Sequence, residues 1–158
     1  MVLVDAIIVW IHLLATSIWV GGSILISIIS RYVRSTNLNN REKTMFIVEI
    51  GKRFNKIALP SLLILFATGM YNARYYILYP DNISSMYGII LTIKVSLVIV
   101  MAVAYIIHIR ILWKRLEASL DDDNRLERLR KSIINIGRLI AVLSIAILLL
   151  ASILDSGL

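Results

Sequence analysis

The chain has 158 residues, of which 59% are hydrophobic, and its mean hydropathy is +0.83. Soluble domains are close to half apolar, so this composition excludes an ordinary water-soluble fold. The absence of cysteine excludes disulfides and thiolate metal sites. A net charge of +7 would suit nucleic acid, but the basic residues are concentrated in two segments, 31–56 and 110–138, which indicates membrane topology instead.

Four apolar runs cover residues of about 2–29, 57–77, 87–113 and 133–154. Each is long enough for a membrane-spanning helix, which needs about 20 apolar residues. The basic segments follow the first and third runs, so these connections are predicted to be cytoplasmic and both termini to lie outside. We therefore predict one domain, 1–158, that is an all-α, integral membrane four-helix bundle, multi-pass in the cell membrane. Apolar residues at helical spacing predict an interfacial segment at about 39–54.

Local signals mark where some of these elements begin or turn. Asn39 or Asn40 is predicted to cap the interfacial segment. Asn124, with Glu127 three residues later, resembles a capping box for the last helix. The sequence YPDNIS at 79–84 predicts a tight outer turn and contains a glycosylation sequon at Asn82.

Depth along the predicted helices brings three polar residues to one level. At a rise of about 1.5 Å per residue, His12 lies roughly 13 Å and Lys94 roughly 11 Å below the outer surface, with Thr68 at a similar depth. Small and polar residues mark the inward faces of membrane helices. The stripe of the first helix contains Asp5, His12, Trp19, Gly22 and Ser27, and that of the second contains Ser61, Thr68, Asn72 and Tyr75. The stripe of the third helix contains Lys94, Met101, Tyr105 and His108, and that of the fourth contains Gly137, Ala141 and Ser144.

Two of these residues carry nitrogen ligands for a metal. Inserting a lysine into the membrane at this depth costs about 2.5–3.5 kcal/mol of free energy. This cost indicates a functional role for Lys94, unless its aliphatic side chain extends far enough for the amine to reach the membrane interface. A neutral Lys94 amine and the His12 imidazole would together offer two nitrogen ligands to a metal or a haem iron. The alternative for His12 is a hydrogen bond between helices. His108 lies roughly 21 Å deeper than Lys94 and is either a water-facing interfacial histidine or a second site.

The sequence resembles the CopD (copper resistance D) domain in three stretches. These are His12, Trp19 and Gly21–Gly22 on the first helix, RFNKIALPSLLILFATG at 53–69, and LTIKVSLVIVMAV at 91–103. The same pattern is similar to HemJ-type protoporphyrinogen oxidases, small four-helix membrane proteins. In that family a first-helix histidine and a third-helix lysine are implicated in haem binding, and these map onto His12 and Lys94. The Leu-Pro-Arg that ends the HemJ first helix is absent here.

These features predict a b-type haem protein that transfers electrons or oxidises a small substrate in the outer half of the bilayer, which would include a haem-dependent oxidoreductase. His12 and Lys94 would be axial ligands of haem b. Trp19, Gly22 and Thr68 would line the macrocycle, and Arg74 would meet its propionates or Asp155. The alternatives are a CopD-like copper transporter or copper-binding protein and a non-catalytic membrane subunit. Expected partners are the lipid bilayer and a redox partner or quinone, with a homodimer as an alternative and no nucleic acid.

Overall fold

A computed structural model describes residues 2–74, 86–117 and 122–156, without the side chains of 111–117. It contains four helices: α1 Val2–Ser35, α2 Asn40–Asn72, α3 Met86–Glu117 and α4 Asp123–Asp155. All four are long and apolar enough to cross a membrane, and the described ranges contain no strand. These observations confirm the all-α, four-helix membrane bundle. The predicted turn at 79–84 and the Asn82 sequon lie outside the described residues.

The helices continue beyond the apolar runs of the sequence. Residues 39–54, predicted as an interfacial segment, form the first part of α2 after its cap, and α2 continues without a break through Pro60. Proline lacks the N–H that bonds the preceding turn. The Ser61 hydroxyl donates a hydrogen bond of 2.9 Å to the Ile57 carbonyl, which adds a bond beside the one that Pro60 cannot form.

The caps of α2 and α4 illustrate how local side chains set helix starts. Asn39 accepts a hydrogen bond from the Glu42 backbone N–H and donates its own backbone N–H to the Glu42 carboxylate, so the predicted cap at Asn39 is confirmed as a capping box. The predicted Asn124–Glu127 capping box is wrong. Asp122 is the N-cap instead, because its carboxylate satisfies two free N–H groups of the first turn.

The bundle is assembled from two tightly packed helix pairs, α1 with α2 and α3 with α4, and α4 also packs on α1 and α2. Two buried clusters lie between the helices. The cluster at the basic end contains Val33, Ile47, Val48, Leu129, Ile133 and Ile134. The central cluster contains Trp19, Ala58, Met101, Tyr105 and Ile140.

Large apolar side chains cover the outside of the bundle. Trp10, Leu63 and Leu149 are each more than 60% exposed. The buried residues include serines and Thr44. A surface of this kind would aggregate in water and is expected where lipid tails replace water. Inward packing by small and polar residues is likewise typical of membrane bundles.

Candidate functional site

His12 lies on the inward face of α1, where its imidazole contacts Thr68 on α2. His12 Nδ1 is 2.7 Å from Thr68 Oγ1, and the same hydroxyl donates to the Ile64 carbonyl at 2.6 Å. Because a hydroxyl has only one proton, we assign Thr68 as the acceptor of a hydrogen bond from His12 Nδ1–H. In a neutral imidazole this tautomer leaves the lone pair on Nε2, where a metal can bind.

Gly69 and Lys94 complete the surroundings of His12. A Cβ atom at Gly69 would lie 3.6 Å from His12 Cε1, so the ring packs close to the α2 backbone at this position. Lys94 on α3 is near enough for its side chain to interact electrostatically with His12. His12 and Thr68 are thus in contact, and Lys94 lies within electrostatic range of His12; depth along the helices predicts one level for these three residues.

Above this level, Asp5 closes the outer end of the α1–α2 pair. One oxygen of its carboxylate accepts hydrogen bonds of 2.9 Å from Tyr71 Oη and from Arg74 Nη2. The Arg74 guanidinium also lies 4.0 Å from the centre of the Tyr71 ring, a cation–π arrangement. Arg74, which the sequence analysis assigned to haem propionates or Asp155, is therefore bound to a protein carboxylate, that of Asp5.

Below His12, the centre of the bundle is closed by Trp19. Its side chain is only 2% exposed, and its Nε1 donates a 2.9 Å hydrogen bond to Ser144 Oγ on α4. Ser144 Oγ in turn lies 3.2 Å from the Met101 sulfur on α3. The Trp19 ring meets Tyr105 edge to face, with ring centres 4.9 Å apart. Trp19 therefore joins three helices and fills the space below His12, as its place on the α1 stripe predicts.

The two adjacent glycines of α1 have different surroundings. A Cβ atom at Gly22 would overlap the Phe54 ring, with Phe54 Cζ only 2.6 Å away, whereas nothing lies within 4 Å of a Cβ atom at Gly21. Only Gly22 is therefore required for close packing, and its contact is with the Phe54 side chain.

A mostly apolar cavity with several polar side chains in its lining lies below Trp19, between this residue and the basic end of the bundle. Its volume of about 60 Å³ is enough to hold water. The polar side chains of its lining are Ser23, Ser27, Ser30, Asn55, Tyr105, His108 and Arg138. Tyr105 Oη donates a 3.1 Å hydrogen bond to Asn55 Oδ1. His108 Nδ1 is buried and has no hydrogen-bond partner among the described residues.

This arrangement offers separated metal ligands and no enclosed metal cage. No group of three His, Cys, Asp or Glu side chains in the described ranges could hold a metal ion together. Single imidazoles, those of His12 and His108, lie above and below Trp19, and the Met101 thioether lies at the level of Trp19. The cavity below Trp19 is lined by neither His12 nor Lys94.

Sequence analysis missed Asn55 and its bond to Tyr105. The signal was present, because the inward stripe of Thr68 and Ser61 continues through Ala58 to Asn55 in steps of three. It was overlooked because the predicted membrane run began at residue 57. Ser144 was placed correctly on an inward stripe, but its role as the acceptor for Trp19 depends on how α4 meets α1.

A protein-family model described as Copper resistance protein D matches residues 48–154. No curated protein matches the chain, and neither does any solved structure. The matched region contains Thr68, Lys94 and His108 and leaves α1, with His12, outside it. The match bears out the resemblance to the copper resistance family, and nothing found supports the resemblance to HemJ-type oxidases or a haem cofactor.

Together with the four membrane-spanning helices, the match identifies a multi-pass protein of the cell membrane. It covers about two thirds of the chain, from within α2 to the end of α4. The chain belongs to the copper resistance protein D family.

Proposed function

We propose that this protein binds copper within the membrane and passes it between the two sides of the bundle. The observation that carries the proposal is the family match over residues 48–154. This match favours the copper alternative of the sequence analysis over the haem interpretation. In this proposal copper is the transported substrate, and side chains along the bundle bind it in succession.

His12 is the first ligand in this proposal. Its hydrogen bond to Thr68 fixes the ring and directs the lone pair to Nε2, an arrangement by which neighbouring groups commonly support histidine ligands. Lys94 regulates the charge at this level. A protonated Lys94 amine within electrostatic range of His12 would oppose a bound cation, so we expect copper binding to be accompanied by proton release.

Met101 and His108 continue the path along one face of α3. A thioether and an imidazole are ligands that Cu(I) accepts, and both side chains face the bundle interior rather than lipid. Trp19 and Tyr105 separate these contacts from His12. A separated series of weak ligands, interrupted by a barrier, is the arrangement expected for transient binding and controlled passage, whereas a storage site would require convergent ligands.

The first test is copper binding by purified protein in detergent with His12→Ala. We expect the wild-type protein to bind Cu(I) and His12→Ala to bind it at least about tenfold more weakly, because the first imidazole is lost. Ser17→Ala, an exposed change on the same helix, should bind as the wild type does. Metal analysis and an absorption spectrum should be recorded together. A Soret band lost in His12→Ala would overturn the proposal in favour of haem, as would wild-type protein that binds no copper.

The second test concerns the orientation of the His12 ring. Thr68→Val keeps the size of the side chain but removes the acceptor for His12 Nδ1–H, so Cu(I) should bind roughly 10- to 100-fold more weakly, as for other supporting groups of metal ligands. The matched control is Thr92→Val, which removes an exposed hydroxyl bonded only to its own helix in the described contacts. Equal affinities in the two variants would show that Thr68 does not position the ligand.

A further inference from the structure

We infer that the basic end of the bundle contains a binding site for a phosphate group, formed between α1 and α4. A cavity of about 210 Å³ is lined there by Arg34, Glu127, Arg130, Lys131, Ile134 and Asn135. It lies on the side of the bundle where the positive-inside rule places the cytoplasm. The site is separate from His12, Met101 and His108, so it is independent of the proposed copper function.

Arg130 is the residue that points to a missing anion. It is 91% buried, since only 9% of its surface is exposed, and its Nη1 is a buried donor with no partner among the described residues. A buried donor without an acceptor is costly, so a ligand that accepts a hydrogen bond from Arg130 Nη1 and carries negative charge would satisfy this donor.

The neighbouring charges favour an anion as well. Lys131 and Glu127 form an ion pair with a nitrogen–oxygen distance of 2.8 Å, and Glu127 also interacts electrostatically with Arg130. One acidic side chain of the lining therefore faces three basic ones, Arg34, Arg130 and Lys131, which leaves an excess of positive charge. Arg34 is exposed while Arg130 is buried, so the former stands at the rim and the latter at the floor of the site.

The chemistry of these groups selects phosphate. Guanidinium groups match phosphate oxygens in geometry and can bind them through paired hydrogen bonds. The cavity volume of about 210 Å³ is enough for a phosphate group together with several water molecules. Two sources share this chemistry. One is the headgroup of an anionic lipid in the adjacent leaflet, which basic pockets between membrane helices bind, and the other is free phosphate.

The experiment measures the thermal unfolding midpoint of the full chain in detergent. Phosphatidylglycerol is compared with diacylglycerol, and inorganic phosphate with chloride at equal ionic strength. A ligand that binds only the folded protein raises the midpoint, and the rise increases with the logarithm of the ligand concentration relative to its Kd. We expect phosphatidylglycerol to raise the midpoint of the wild-type protein. A similar response to inorganic phosphate would identify free phosphate as a second occupant, and no response to it would assign the site to lipid.

We expect a weaker response from Arg130→Met and from Arg34→Gln. Each change should lower the affinity for the anionic ligand by about tenfold. Arg128→Gln removes an exposed charge from the same helix and should respond as the wild type does. Arg130→Met without ligand should be at least as stable as the wild type, since this change removes a buried donor that has no partner in the described part of the chain. If Arg130→Met does not fold, Arg34→Gln at the exposed rim provides the test. Equal responses in Arg34→Gln and Arg128→Gln, or no response of the wild type to either anion, would overturn the inference.

Discussion

Replacing Trp19 with alanine is expected to lower the free energy of unfolding by about 2–4 kcal/mol. Loss of a buried tryptophan from a soluble core costs about 3–5 kcal/mol. In a membrane the separated helices are solvated by lipid rather than water, which reduces the transfer contribution, but the cavity and its lost contacts remain. Trp19 also loses its hydrogen bond to Ser144 and its edge-to-face contact with Tyr105. Denaturant titration in detergent micelles measures the change.

Two further variants separate packing from hydrogen bonding at this position. Trp10→Ala, on the same helix but at a residue 62% exposed, should change the unfolding free energy by less than about 0.5 kcal/mol. Trp19→Phe keeps an aromatic ring but removes the N–H donor, and should cost about 1–2 kcal/mol. An unfolding free energy for Trp19→Ala within about 0.5 kcal/mol of the wild-type value would contradict the central position assigned to Trp19.

The same residue connects stability with the proposed function. Trp19 lies between the His12 level and the cavity below Trp19, so in the proposed function the side chain that closes the bundle would also be the barrier on the copper path. In that proposal, a protein without this ring would be less stable and also less able to control passage between the two sides. Stability and control of passage would then rest on one side chain.

The sequence contains enough information to predict the bundle and its inward faces. Depth at about 1.5 Å per residue predicts one level for His12, Thr68 and Lys94, and His12 contacts Thr68 and lies within electrostatic range of Lys94. The prediction was possible because the apolar runs indicate the membrane-spanning part of each helix and small or polar residues mark its buried face. Stripes of this kind are properties of single helices and can be read without knowing how the helices pack.

Partners between helices could not be predicted in the same way. Arg74 bonds to Asp5 and Trp19 to Ser144 because of the relative rotation of neighbouring helices, which no single stripe specifies. The cap at Asp122 was missed because a run of three aspartates offers several candidates, and the choice depends on where α4 begins to pack. Arg130 lies seven residues before Gly137 on the same face, but an arginine in a basic segment predicts a cytoplasmic surface rather than burial.

Valine at position 22 is expected to destabilise the bundle by about 1–3 kcal/mol, the usual cost of overpacking. The added atoms would occupy the space of the Phe54 ring, so α1 and α2 must separate or the ring must turn. Gly21→Val is the matched control, because a Cβ atom at Gly21 meets nothing within 4 Å. We expect Gly21→Val to be near neutral in the same denaturant titration.

A double-mutant cycle tests whether Phe54 is the cause. Phe54→Ala alone should lose packing, but in combination with Gly22→Val it vacates the space that the valine needs. The two changes should therefore be less destabilising together than the sum of the single effects, by about 0.5–3 kcal/mol, the coupling energy typical of contacting residues. Additive effects would mean that the two side chains do not compete for the same space. In that case the close approach of α1 and α2 at Gly22 would not explain why a glycine occupies this position.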